Sequence, residues 1–180
     1  MTTELHIRRA SRTDRDWLFA LQEVSLHVLG RHSYDEAAIG SFVAHGGISD
    51  DRMIDRGTCF VALSGGTIVG CGGWSDRTGK TGVPAGALLL RPAPRMRGLF
   101  VHPTFARRGI GSRLVRAIED DMVAAGHDCA TLAATLNSAD FFRALGYCGR
   151  KTVSLPLPGR RRFAVTCMSK RFAGVDAAAA

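Results

Sequence analysis

The sequence lacks the features of secreted, membrane and zinc-binding proteins. No apolar run is long enough to cross a bilayer, and the first residues, MTTELHIRRA, lack the apolar core of a secretion signal. The five cysteines are scattered and form no CxxC pair, which argues against a zinc site or a disulfide framework and is typical of buried free thiols. These absences predict a cytoplasmic protein with no membrane partner and no metal.

Acidic residues are also few. The chain has 16 Asp and Glu against 24 Lys and Arg, which gives a net charge of +8 and a pI of about 9.9. Such an excess suits nucleic acid, a membrane surface or a small anion. The arginines fall into short groups at 8–9, 95–97, 107–108 and 160–162, and no basic face with interleaved aromatics is visible. Nucleic-acid binding, which would weaken steeply with salt, is therefore the weakest of the three interpretations.

Helical and strand periodicities alternate along the chain. Gly65-Gly66 predicts the turn of a β-hairpin between two apolar β-rich runs. No repeat or linker is visible, so we expect one α/β domain over residues 1–172, with a mixed sheet of about seven strands and four helices. Residues 173–180 are expected to form a disordered tail. The strands are predicted within 4–9, 57–76, 96–101, 128–135, 147–157 and 162–170, with a short one in 87–90, and the helices within 11–30, 33–47, 107–126 and 138–146.

Caps and buried faces follow from the same patterns. Thr13 is the expected N-cap of the first helix, with Asp16 three residues later as in a capping box. Ser33 is the expected cap of the second helix, which should end at Gly46-Gly47. The apolar residues of the first helix are expected to face the core: Trp17, Leu18, Leu21, Val24, Leu26 and Val28. In the last helix the inward residues are expected to be Phe141, Ala144 and Leu145.

The run Arg107, Arg108, Gly109, Ile110, Gly111 lies where a strand ends and a strongly amphipathic helix begins. It has two interpretations. It is either a tight basic turn or a phosphate site, in which bare helix N–H groups hold an anion and the two glycines allow its close approach. Glycine spacing alone favours the turn.

The wider sequence resembles a known family. Residues 99–115, LFVHPTFARRGIGSRLV, resemble the acyl-CoA-binding signature of the GNAT superfamily of N-acetyltransferases. Residues 139–147, ADFFRALGY, resemble its next motif, A-x-x-[FL]-Y-x-x-x-G-[FY]. GTIVGCGGWS resembles the usual second hairpin strand, and RRASRTDRDWLFAL the usual opening. The resemblance spans nearly the whole chain and reverses the preference for a simple turn.

The resemblance implies the GNAT fold, with a V-shaped split between the strands at 95–101 and 129–135 that holds acetyl-CoA or coenzyme A. It also implies direct transfer of the acetyl group to an amine of a small molecule, peptide or protein. Backbone groups of Leu99, Phe100 and Val101 would bind pantetheine and the acyl carbonyl, with Phe100 or Val101 stabilising the oxyanion. The pyrophosphate would lie on backbone amides of Arg107, Arg108, Gly109, Ile110, Gly111 and Ser112.

Two positions depart from the family pattern. Phe142 stands where the family often has a tyrosine that protonates the leaving sulfur, although a thiol with a pKa of about 8.5 is a tolerable leaving group without help. Phe142 is therefore expected to contact the cofactor without acting in catalysis, and Tyr147 to pack. Asn137 lies two residues after the expected position. It either reaches the cofactor or caps the helix at Ser138.

The acceptor side carries less information. The strand 95–101 has no Asp or Glu to serve as a base, and His102 is interpreted as structural. Tyr34 and Trp74 are candidates for acceptor contact, with packing as the alternative for each. The main alternative function is a non-catalytic acyl-CoA-binding module. A homodimer is compatible with the resemblance.

Overall fold

Seven strands form one mixed sheet in the computed structural model, which describes residues 4–45, 51–76 and 93–172. Their order across the sheet is β1-β2-β3-β4-β5-β7-β6, and β4–β5 is the parallel pair among antiparallel neighbours. This confirms the predicted mixed α/β fold. The strands are β1 (Leu5–Arg9), β2 (Cys59–Ser64), β3 (Thr67–Ser75), β4 (Arg95–Val101), β5 (Cys129–Thr135), β6 (Cys148–Leu157) and β7 (Arg161–Arg171).

Five helices occur in this described part, one more than predicted. They are α1 (Arg15–Gly30), α2 (Glu36–His45), α3 (Asp51–Asp55), α4 (Ile110–Ala124) and α5 (Ala139–Ala144). The additional helix is α3, whose five residues are too few to show a period. The predicted strand at 87–90, the expected stop at Gly46-Gly47 and the tail at 173–180 lie outside the described residues. None of the helices described is long and apolar enough to cross a membrane.

The helices cover both faces of the sheet. On one face, α4 packs on the strands through a buried apolar stripe that includes Leu114 and Ile118, and Phe142 of α5 joins the same cluster. On the other face, Leu18 and Leu21 of α1 pack with α3, β2 and β3, and Leu26 packs with α2, β6 and β7. The sheet is therefore the middle of three layers.

Two glycines of β3 let α4 lie directly on the sheet. A Cβ on Gly70 would stand 2.9 Å from Cδ1 of Leu114, and one on Gly72 would stand 2.9 Å from Cδ1 of Leu99 and 3.0 Å from Cδ1 of Ile118. Any side chain here would push α4 outward. This close packing determines where α4 begins relative to the end of β4.

The expected caps of the first two helices were wrong. The carboxylate of Asp14, not Asp16, accepts a hydrogen bond from the backbone N–H of Ser11 (2.7 Å), in a short 3₁₀ turn that precedes α1. Asp14 also binds Arg8 through two bonds of 2.7 and 2.9 Å, and this bonding holds the pKa of its carboxyl well below the usual range. At α2, Asp35 accepts the N–H of Ala38 (2.6 Å) where Ser33 was expected to cap.

Two inward faces were also partly wrong. In α1, Trp17 is 66% exposed, because the buried stripe runs through Leu18, Leu21, Gln22, Ser25 and Leu26 at helical spacing. Val24 and Val28 lie off that stripe and are exposed too. In α5 the deeply buried residues are Ala139 and Phe142, whereas Ala144 is exposed. Phe141 and Leu145 do pack against the core as predicted.

Candidate active site

Strands β4 and β5 separate almost at once after they meet. The described parts of the two strands share one register pair, Arg95 with Thr131, and the N–H of Thr131 donates to the carbonyl of Pro94 (2.9 Å). Beyond this point the strands diverge around a cleft of about 1070 Å³. Leu99, Phe100 and Val101 of β4 line one wall, and β5 lines the other from Leu132 to Thr135.

A bulge in β4 sets the wall of the cleft. Phe100 pairs with Cys71 and Arg97 with Gly73, so β4 has one extra residue here, and Gly98 adopts a φ of +62°. The N–H of His102 then donates to the carbonyl of Val69 on β3 (2.9 Å). Because N–H groups alternate between the edges of a strand, the N–H of Val101 points to the cleft.

The N-terminus of α4 opens into this cleft. Gly109 is its N-cap, with a φ of +78°, and no side chain bonds to the cap. The first turn contains no acidic residue, and Ile110, Gly111 and Ser112 line the cleft. The first N–H groups of a helix have no partner within it, so this end presents bare donors and the positive end of the helix dipole. It suits an anion.

The two glycines of this turn differ in role. Gly109 needs its positive φ, and a Cβ there would have nothing within 4 Å. A Cβ on Gly111 would lie 3.1 Å from Cζ of Phe141. The sequence suggested that both glycines make room for an anion, but the space at Gly111 is occupied by the ring of α5.

The neighbouring arginines also differ. Arg107 lines the cleft and has a φ of +64°, which helps to curl the chain ahead of the helix. The guanidinium of Arg108 instead lies over the ring of Phe105, 5.3 Å from its centre, and does not line the cleft. His102, just before this turn, accepts the N–H of Thr104 on Nδ1 (3.3 Å), which agrees with a structural role.

Phe142 forms part of the cleft surface and carries no proton to donate. It is 6% exposed and meets Phe141 and Tyr147 edge to face, with ring centres 5.1 and 5.5 Å apart. Tyr147 is buried behind it and does not line the cleft. Burial, with the nearby charge of Glu119, raises the pKa of its phenol. Neither ring can supply an acid at this site.

Tyr34 and Asn137 connect α1 and the following turn to the end of β5. The Tyr34 hydroxyl donates to the carbonyl of Ala164 (2.6 Å) and accepts the N–H of Leu136 (2.7 Å). Its ring is not in the cleft lining, and burial raises its pKa to about 12. Asn137 does line the cleft, and its Nδ2 donates to the carbonyl of Leu29 (3.1 Å) rather than capping α5.

Trp74 is not brought to the cleft. It is 5% exposed and packs in the core on the α4 side of the sheet. Its indole Nε1 donates to Oδ2 of Asp121 on α4 (2.7 Å), and its ring meets His127 edge to face. This geometry corresponds to the packing alternative and not to contact with an acceptor.

Three polar residues of the cleft were not singled out from the sequence. Ser25 of α1 is buried, and its hydroxyl donates to the carbonyl of Val101 (3.0 Å). Arg95 and Arg97 line the cleft from the beginning of β4. Arg95 is 5% exposed, and burial, together with the charge of Arg97, lowers its pKa to about 10. The alternation of side chains along β4 could have placed both arginines on one face.

The described residues contain no group of three or more His, Cys, Asp or Glu arranged to hold a metal ion. The polar equipment of the cleft is therefore backbone amides, hydroxyls and guanidinium groups. Asp140, at the start of α5, is the acidic residue among the described cleft-lining residues, and it is paired with Arg143.

Comparison with known proteins adds independent support. Three solved structures share the fold over nearly their whole length. A GCN5-related N-acetyltransferase from Rhodopseudomonas palustris has a TM-score of 0.74 at 22% identity, covering 96% of this chain and 98% of that one. PaiA N-acetyltransferase from Thermoplasma acidophilum, solved with coenzyme A, has a TM-score of 0.66 at 17% identity, covering 94% and 99%. Polyamine N-acetyltransferase from Drosophila melanogaster, which forms N-acetylagmatine, has a TM-score of 0.62 at 18% identity, covering 94% and 100%.

A search of curated proteins finds no match. The model of the acetyltransferase (GNAT) family matches residues 29–147, which is more than half of the chain and includes the β4–β5 cleft and the α4 N-terminus. The chain therefore belongs to the GNAT family of acetyltransferases and is an acyltransferase that uses acetyl-CoA as its donor.

Proposed function

We propose that this protein transfers an acetyl group from acetyl-CoA directly to a primary amine bound in the β4–β5 cleft. The observation that carries the proposal is the cleft itself, a strand split into which the bare N-terminus of α4 opens. A long, thin molecule with a diphosphate fits such a site, because strand edges can bind its amides and the helix N-terminus its charge.

The wall residues have separate tasks. The amides from Arg107 to Ser112 hold the pyrophosphate, and Arg107 adds charge at the rim. The edge of β4 at Leu99, Phe100 and Val101 binds the pantetheine arm. Since its N–H points to the cleft, Val101 is the better donor to the acyl oxyanion. Ser25 keeps the carbonyl of Val101 in place.

Acetyl-CoA supplies the activated acyl group as a thioester, and the chain supplies orientation. The nucleophile must be a neutral amine, whereas a lysine-like amine has a pKa of about 10.4. No His or Glu lines the described cleft, so the proton passes to water. Two guanidinium groups favour this loss, because nearby positive charge disfavours the ammonium form. Phe142 donates no proton, and the sulfur leaves as a thiolate.

A thiol-release assay tests the proposal. Acetyl-CoA and the purified chain are incubated with a panel of primary amines and peptides, and calorimetry measures CoA binding in parallel. Release that depends on both protein and amine, with an acetylated product seen by mass spectrometry, is the expected result. CoA binding without acceptor-dependent release across the panel would instead indicate the non-catalytic acyl-CoA-binding module.

A further inference from the structure

Two arginines line the closed end of the cleft, where β4 and β5 still touch. Arg95 and Arg97 are alternate residues of β4, and Met96 between them packs in the core on the α4 side. Alternate side chains of a strand share a face. Both arginines therefore belong to the face covered by α1 and α2, on the side opposite α4.

This end of the site is strongly cationic. Arg95 is 5% exposed, and its lowered pKa of about 10 reflects burial first and repulsion by Arg97 second. Cys167 of β7 lies close to Arg95, and Lys151 pairs with Cys167 in register. Burial raises the pKa of the Cys167 thiol, while Arg95 and Lys151 act in the opposite direction.

The acidic residue among the described cleft-lining residues lies at the other end of the site. Asp140 stands at the start of α5, beyond the far end of β5, and pairs with Arg143. The segment 77–92, which precedes β4 in sequence, contains Arg77, Lys80 and Arg91 and no Asp or Glu. That segment can add positive charge but no carboxylate.

The pyrophosphate does not account for this second cationic site. The bare N-terminus of α4 follows the end of β4, whereas Arg95 stands at its beginning. Six residue steps of about 3.3 Å separate Arg95 from Val101, so the two sites lie roughly 20 Å apart along the strand. Their positive charges serve different parts of the bound molecules.

We propose that the acceptor is a primary amine that also carries an acidic group, a carboxylate or a phosphate, and that Arg97 and Arg95 bind this group. The inference rests on the proposed function and specifies its substrate class. A guanidinium pairs with a carboxylate or phosphate through two parallel hydrogen bonds, which orients the ligand as well as attracting it. A polyamine would place further ammonium charges beside the arginines. The chain should therefore differ in acceptor from the polyamine N-acetyltransferase that shares its fold.

The test compares amines of equal length and different charge. β-Alanine, γ-aminobutyrate and 2-aminoethylphosphonate represent the acids, their amides or esters the neutral forms, and 1,3-diaminopropane, putrescine and agmatine the cations. The thiol-release assay gives kcat/KM for each with the full chain. The acids are expected to exceed their neutral partners and the diamines at least tenfold. The carboxylate and phosphonate arms show which acidic group is preferred.

Variants assign the preference to a residue. Arg97→Gln should remove it mainly through a higher KM for the acids, since the contact exists before the reaction begins. Arg97→Glu should reverse it in favour of the diamines. Arg116→Gln is the matched control, because Arg116 is exposed on α4, away from the cleft, and loses the same charge.

The outcomes separate this inference from the proposed function. A wild-type preference for diamines, or an acid preference that survives in both Arg97 variants, overturns the inference and leaves the acetyltransferase intact. CoA binding with no transfer to any amine overturns the proposed function, and the inference falls with it.

Discussion

The absent side chain of Gly111 faces the ring of Phe141: a Cβ there would lie 3.1 Å from Cζ and 3.4 Å from Cε2. The contact joins the first turn of α4 to α5, the two elements that border the cleft from the same side of the sheet. Gly111 is therefore a packing residue as much as a part of the anion site.

A pair of glycine substitutions tests this role. In a helix interior, Gly→Ala normally raises the free energy of unfolding by about 0.5–1 kcal/mol. A Cβ on Gly40 of α2 would have nothing within 4 Å, so Gly40→Ala should gain that amount. Gly111→Ala should gain nothing or lose stability, because the ring of Phe141 must move. Urea unfolding measures both variants, and equal gains would contradict the packing role.

The anion site is best tested at Ser112. This residue is the third of α4, where an acidic side chain favours the helix but opposes a bound phosphate. Ser112→Asp should leave the free energy of unfolding within about 0.5 kcal/mol and weaken CoA binding at least tenfold. Ser112→Asn has nearly the same shape without the charge and should bind CoA within about threefold of the wild type. Calorimetry that finds equal affinities for the two variants would argue against a phosphate at α4.

The pH dependence of turnover tests the absence of a base and an acid. With a neutral amine required and no titrating base in the described cleft, kcat/KM should rise about tenfold per pH unit from pH 7 until the acceptor amine is neutral. Phe142 gives no reason for a falling limb below pH 9.5. A plateau that begins below pH 7 would reveal a base supplied by the protein. The measurement uses the best acceptor of the panel under subsaturating conditions.

Asp14 makes a pH-dependent contribution to stability. Its pKa is held low by the hydrogen bonds from Arg8, so the contribution is complete above its unfolded pKa of about 3.9 and is lost as pH falls towards the folded value. Asp14→Asn should lower the free energy of unfolding by roughly 1–2 kcal/mol at pH 7, and the difference should shrink below pH 4. Asp16→Asn is the control, because the side chain of Asp16 is 98% exposed. A larger loss from Asp16→Asn would restore the cap that the sequence suggested.

Elements with a strong local signal were predictable. The hairpin turn at Gly65-Gly66 and the apolar stripe of α4 need no tertiary information, and the structure contains both. The choice between Asp14 and Asp16 was not predictable, since both follow a hydroxyl residue by three positions. Arg8 on β1 decides it by binding Asp14.

The site was predictable only where the backbone carries the function. The strand end and the helix start at Gly109 follow from sequence order, and the family resemblance placed them in a cleft. Trp74 shows the limit. A register shift between Cys71 and Gly73 interrupts the alternation just before it, and its ring lies on the α4 side. Arg95 looked like one of several surface arginines, because only the packed sheet shows that it is buried.

Tyr34 distinguishes a structural link from an acceptor contact. Its hydroxyl joins the carbonyl of Ala164 to the N–H of Leu136, and its ring stacks on Phe163 with centres 4.0 Å apart. Tyr34→Phe keeps the stacking but leaves both backbone groups without this partner, so the free energy of unfolding should fall by about 1–3 kcal/mol. Because Leu136 immediately precedes Asn137 in the cleft lining, the KM for acetyl-CoA should rise more than the KM for the acceptor. Unchanged stability with a raised acceptor KM would instead make Tyr34 an acceptor contact. Urea unfolding and steady-state kinetics on the same preparation separate the two.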